Sequence, residues 1–160
     1  MVDVSDLRDL AVFHSLNDKQ LHELAAISQS RTCGKRDVVY ERGQRAEYLW
    51  VVKKGKVTLR RFDPGDVVGL AFETRGKGQL FGAACFMEDQ EYTLTAICLE
   101  DSELVAIDAA KLKDLCRSDP ELGYLLMFNI AKIYFERYRI AKAQLFEMLK
   151  AARITTAVIG

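Results

Sequence analysis

From residue 32 to residue 107 short runs rich in Val, Ile, Tyr, Phe and Thr are broken by turn residues at intervals of about 8–12 positions. That spacing is too tight for helices and too regular for a loop, so it restricts the region to an all-β barrel or a double-sheet roll. "YLWVVKKGKVTLRRF" reads as a hairpin, with one strand near Tyr48–Lys53, a turn at Lys54-Gly55 and a return strand from Lys56. "FDPGDVVGLAFE" reads as a second, turned at Asp63-Pro64-Gly65-Asp66, where Pro and Gly supply the turn dihedrals. "RGKGQLF" is a further glycine-rich loop, and "TLTAICLEDSELVAID" gives two more strands around an acidic turn.

Helices flank this region. Asn17 is a good N-cap, Gln20 completes a capping box, and Leu21, Leu24 and Ala25 then share one face. After Asp108 the period becomes helical again. "AAKLKDLC" is a short helix ending near Arg117-Ser118. Asp119 then caps a long one with Pro120 in its first turn, continuing to about Arg153. Some 33 residues make about 50 Å of helix. The predicted fold class is therefore mainly β with flanking helices (α+β), a jelly-roll-like double-stranded β-roll in a single domain. Its parts are an N-terminal helical segment over 1–31, the roll over 32–107 and C-terminal helices over 108–155.

The long helix carries a regular seam: Tyr124, Met127, Ala131, Tyr134, Tyr138, Ala141, Leu145, Met148 and Ala152 alternate steps of three and four. A second stripe of Leu126, Ile130, Ile133 and Ile140 can face the chain's own barrel. Both stripes can belong to one core. A helix of this length outruns a small barrel, however, so a parallel homodimer through Ala131, Tyr134, Tyr138, Ala141, Leu145 and Met148 is the preferred reading.

Lys+Arg and Asp+Glu both number 23, so no bulk charge is available for nucleic acid or a membrane surface. The N-terminus lacks a signal-peptide pattern, and "LGYLLMFNIAKIYF" is broken by Asn129 and Lys132. A cytoplasmic protein that binds neither membrane nor nucleic acid by itself is expected. Cys33, Cys85, Cys98 and Cys116 are widely spaced and read as reduced thiols without a metal signature. No nucleophile–base pair or P-loop is visible, so no enzyme is expected.

"GQLFGAACF" raises a specific question. Gly82 opens one short helical turn, Ala83 to Met87, whose first N–H groups would suit an anion, yet no cation stands in it. With "VFHSLNDKQLHELA", "VVYERGQRAEYLWVVKKGKVTL", "YTLTAICLEDSELVAID" and "LKDLCRSDPELGYLLM", it resembles the cyclic-nucleotide-binding domain, especially the effector domain of catabolite-activator/FNR-type regulators. The resemblance runs over about residues 7–140.

In that family a Gly-Glu pair and an arginine before a small polar residue hold the ribose and the cyclic phosphate. Carried across, the resemblance implies that Phe81 and Gly82 match, that Ala83 stands at the glutamate position, and that Tyr92 stands at the arginine position. Thr93 falls on the small polar position and Thr95 on the closing threonine. Losing the arginine from a buried phosphate pair costs ~2–5 kcal/mol, which moves a micromolar site to millimolar or weaker.

Cyclic AMP is therefore not the expected ligand. What remains is an apolar pocket of Phe81, Ala83, Ala84, Cys85, Phe86, Leu70 and Tyr92, filled by its own side chains or by another small molecule, with Arg75 and Lys77 as possible substitute cations. No cofactor is expected: haem would need His14, His22 or Cys85, and Cys85 at a helix N-terminus is either a low-pKa sensor or a small core residue.

The family implies a non-enzymatic regulatory module whose C-terminal helix moves when a small molecule or protein partner binds. Two alternatives stay open. One is a ligand-free interaction scaffold. The other is the sensor part of a transcription regulator whose DNA-binding helix-turn-helix is not in this chain; the trailing "ITTAVIG" favours a stand-alone module.

Overall fold

The computed structural model describes residues 2–151. A short helix α1 (Val4–Arg8) and a 3-10 turn (Ala11–Phe13) precede α2 (Asp18–Ala26). The start of α2 is fixed by a reciprocal pair. Asn17 Oδ1 accepts from the Gln20 N–H at 2.9 Å, and Gln20 Oε1 accepts from the Asn17 N–H at 3.1 Å. The helix buries Leu21, Leu24 and Ala25, as its period requires. Both α1 and the 3-10 turn lie in the segment read as helical over 1–31, but five and three residues are too few for a period to mark them out singly.

Among the described residues eight strands follow: β1 (Ser28–Cys33), β2 (Val38–Tyr40), β3 (Tyr48–Lys54), β4 (Val57–Arg61), β5 (Leu70–Arg75), β6 (Leu80–Phe81), β7 (Thr95–Cys98) and β8 (Ser102–Asp108). They form two antiparallel four-stranded sheets, ordered β1-β8-β3-β6 and β2-β7-β4-β5. This is the expected double-sheet roll flanked by helices. It begins at Ser28, inside the segment read as helical over 1–31.

One expected hairpin is a crossover instead. β3 pairs with β8 and β6, while β4 pairs with β7 and β5, so the chain changes sheet at Lys54–Lys56. Gly55 makes the corner at φ +92°, and a Cβ there would lie 2.3 Å from Ser102 Oγ. Only glycine fits a corner that passes this close to the start of β8. The second expected hairpin, β4 to β5, does form, with the Asp66 N–H donating to the Asp63 carbonyl at its turn.

The core lies between the sheets. Leu49, Trp50, Val51 and Val52 of β3 are all buried, as are Leu104, Val105, Ala106 and Ile107 of β8. β5 is the outer strand of its sheet, and Leu70 and Phe72 on it are exposed.

Helix α3 (Ala109–Ser118) begins on Asp108, whose carboxylate accepts from the Lys111 N–H. Helix α4 (Pro120–Ala151) begins on Asp119, whose Oδ1 accepts from the Leu122 N–H at 3.0 Å. The described residues divide into two compact units. Residues up to Leu126 make the first, and α4 from Met127 makes the second. No described helix is long and apolar enough to cross a membrane. Ala152 of the seam, Arg153 and "ITTAVIG" lie outside the described residues.

Candidate functional site

The glycine-flanked turn forms as a single 3-10 turn, Ala83–Phe86, entered through Gly82 at φ +77°. Phe81 and Cys85 are fully buried, while Ala83, Ala84 and Phe86 are half-buried. A Cβ on Gly82 would stand 2.9 Å from Trp50 Cδ1 and 3.1 Å from Tyr92 Cε1. Only glycine allows both the left-handed backbone and this close approach of aromatic rings.

Those rings decide the character of the site. Tyr40 of β2, Trp50 of β3, Phe81 of β6 and Tyr92 make one cluster spanning both sheets. The Tyr40 and Tyr92 rings stack at 3.5 Å and 11°, with Phe81 5.9 Å from Tyr40 and 6.1 Å from Trp50. Tyr92 is 4% exposed. Its hydroxyl accepts from Trp50 Nε1–H at 3.0 Å and donates to the Tyr48 carbonyl at 2.9 Å. Burial raises its phenol above the ordinary value, so it stays protonated and keeps donating. At this position, then, the side chain turns into the core and is fully satisfied there.

The backbone of the same segment is tied to the loop after β2. The Gly43 N–H donates to the Tyr92 carbonyl at 2.8 Å, the Tyr92 N–H to Gln44 at 2.9 Å, and the Arg42 N–H to Thr95 Oγ1 at 3.1 Å. Between loop and strand opens a cleft of about 890 Å3, lined in part by Arg42, Arg61, Phe62, Tyr92, Thr93 and Thr95. Glu41, Asp89 and Glu91 also line it, so its charge is mixed. Arg61 Nε lies 3.4 Å from Asp63 Oδ1.

Of the residues singled out from sequence, the structure brings Phe81, Gly82 and Tyr92 together around Trp50 and puts Thr93 in the open cleft. Leu70 is 65% exposed on β5. Arg75 is buried at the end of β5, its guanidinium held by the Glu73 carboxylate and the Thr74 carbonyl rather than standing in a solvated loop. Lys77 is exposed and lines a different cleft, with Asp6, Asp9, Lys53 and Lys54. Cys85 is no low-pKa thiol, because burial pushes it up to about 11. His14 and His22 are on the surface, the latter with Nδ1 2.7 Å from the Asp18 carbonyl. Arg42 and Arg61, which line the same cleft as Thr93, were not anticipated. Strand alternation from the buried Leu59 points to Arg61.

Two four-stranded sheets with a glycine-entered turn between β6 and β7, followed in the chain by a long helix, define a double-sheet β-roll. The chain belongs to the cyclic nucleotide-binding domain family, which it matches over residues 30–119. It is similar to the cyclic AMP receptor protein of Thermus thermophilus, 27% identical over 134 residues, 84% of this chain and 60% of that protein. Among solved structures it is similar to the Thermus thermophilus catabolite activator protein, at 27% identity and TM-score 0.68, covering 86% of this chain and 62% of that one. The N-terminal domain of a transcriptional regulator from Streptomyces coelicolor A3(2) matches at 26% identity and TM-score 0.67, covering 85% and 95%. The chain is thus similar to catabolite-activator-type proteins over most of its own length. The chain spans 60% of the length of the curated relative.

Proposed function

We propose that this chain is a regulatory sensor module that acts by binding rather than catalysis and does not answer to cyclic AMP in the usual way. The observation that carries the reading is Tyr92. A guanidinium at that position would neutralise a cyclic phosphate, but the tyrosine ring is stacked on Tyr40 and its hydroxyl is used by Trp50 and Tyr48. Ala83, at the position of the ribose-binding glutamate, adds no compensating group. A phosphate entering beside Gly82 would lose water and meet no charge. A ligand of another kind has the cleft beside Thr93, where Arg42 and Arg61 supply cations and Phe62 an apolar wall. The signal would leave through movement of α4, and a second copy of the chain would pair along Ala131, Tyr134, Tyr138, Ala141, Leu145 and Met148.

Calorimetric titration of the full chain with cyclic AMP tests this, with the Ala83→Glu/Tyr92→Arg double variant measured beside it after a melting curve establishes that it folds. No heat from the wild type at millimolar nucleotide is expected. Micromolar binding by the wild type would overturn the reading. A second reading, the sensor part of a DNA-binding transcription regulator, is supported by the greater length of the curated relative and by the Streptomyces regulator domain it resembles.

A further inference from the structure

Cys33 closes β1 in the first sheet, and Cys98 closes β7 in the second. The turn that follows Cys33 folds back at once: the Asp37 N–H donates to the Gly34 carbonyl, and Asp37 Oδ2 accepts from the Gly34 N–H. This returning turn is laid directly on Cys98. The Arg36 N–H donates to the Cys98 carbonyl at 2.8 Å, and the Cys98 N–H donates to the Asp37 carbonyl at 2.9 Å. Ser102, the register partner of Cys33 in β8, completes the cluster. Its hydroxyl and the Cys33 thiol are both within hydrogen-bonding reach of the Cys98 sulfur. Both cysteines are free thiols, 3% and 1% exposed. Two buried thiols from different sheets therefore lie beside each other, at the edge of a turn, Gly34–Asp37, that is itself exposed.

We propose that Cys33 and Cys98 form an oxidation site that closes to an intramolecular disulfide in the presence of a peroxide, joining the two sheets of the roll. The chemistry balances with hydrogen peroxide as the oxidant. One thiolate attacks a peroxide oxygen, the O–O bond breaks, hydroxide leaves, and that sulfur becomes a sulfenic acid. The second sulfur attacks the first and displaces its hydroxyl as hydroxide, and the two thiol protons convert both hydroxides to water. Two thiols are oxidised, one peroxide is reduced, and one S–S bond forms.

Burial raises Cys98 to about 11, and Cys33 and Asp37 push it the same way while Ser102 pulls it down. The reaction is accordingly slow at neutral pH, where the thiolate is scarce. The pair is a site for sustained oxidation rather than a fast sensor, and it is independent of whatever ligand the cleft takes.

The test is peptide mapping of the full-length protein without reduction, after hydrogen peroxide at pH 8.5 and alkylation of the remaining thiols. The expected product is a Cys33–Cys98 linked peptide pair, 2 Da lighter than the free peptides, with the half-buried Cys116 as the reference for exposure. The melting midpoint should rise by about 5–15 °C, because the link closes a long loop. Cys33→Ser should show neither change. Finding Cys33 and Cys98 both alkylated while Cys116 is oxidised would overturn the proposal, as would a link from Cys98 to Cys85 or Cys116. The wild-type map decides even if the serine variant does not fold.

Discussion

Tyr92 is the residue on which the proposed loss of a cyclic-nucleotide site rests, and its energetics can be separated atom by atom. Tyr92→Phe keeps the ring stacked on Tyr40 but leaves the Trp50 indole N–H and the Tyr48 carbonyl without their partner. A loss of about 1–2 kcal/mol is expected, read as a lower urea midpoint at unchanged slope. Tyr92→Ala removes the ring as well and should cost about 3–5 kcal/mol. If the phenylalanine variant were as stable as wild type, the hydroxyl would not be holding the cluster. Gly82→Ala tests the same wall from the other side. Its Cβ would need the room of Trp50 Cδ1 at 2.9 Å, on a backbone at φ +77°, so a loss above about 1 kcal/mol is expected in the same assay. The sequence signalled the missing charge here, since an uncharged Ala83 and Tyr92 can be read from their positions. It did not signal where the tyrosine goes, because its inward turn depends on Trp50 and Tyr40, distant in sequence and on different sheets.

Among the elements, caps and turns were legible and sheet partners were not. The Asn17–Gln20 box, the Asp119 start of α4 and the Asp63–Asp66 turn are each written within a few residues and form as read. The corner at Gly55 looks the same in sequence as a hairpin turn, and only the pairing of β3 with β8 and of β4 with β7, distant in sequence, makes it a crossover. Arg75 misled for a similar reason, since Glu73 on the same strand face takes its charge inward.

Asp119 offers a test at this scale. Its carboxylate accepts from the Leu122 N–H and from Gln20 Nε2 at 3.2 Å, and these bonds, the backbone one first, hold its pKa below the ordinary 3.8. A depressed carboxylate pKa contributes stability that is present above the unfolded value and is lost as pH falls through the folded one. The gap in melting temperature between wild type and Asp119→Ala should therefore be constant from pH 7 to about 5 and narrow below pH 4. A gap that stays constant down to pH 2 would mean the charged form gains nothing from the cap.

For the molecule as a whole, what remains to be explained is the apolar surface of α4. Tyr138 is 58% exposed, Leu145 55% and Met148 70%, in a chain whose net charge is zero and which has no surplus charge to keep such a seam solvated. Ala131 and Ala141 lie on the same seam as the tyrosines, giving a partner helix small residues to approach and aromatic ones to pack against. Alternate steps of three and four made this face legible in sequence, because a heptad is a local pattern that needs no knowledge of the sheets. The proposed pairing should thus appear in sedimentation velocity as a dimer at micromolar concentration. Its strength should barely change between low and high salt, since burial of apolar area and not charge would drive it. Tyr138→Glu with Leu145→Glu puts four like charges into the paired seam, two from each copy, and should give a monomer whose first unit melts as before. A wild-type chain that sediments as a monomer at every concentration would remove the dimer from the proposal while leaving the closed tyrosine site untouched, since that site is built from residues of the first unit alone.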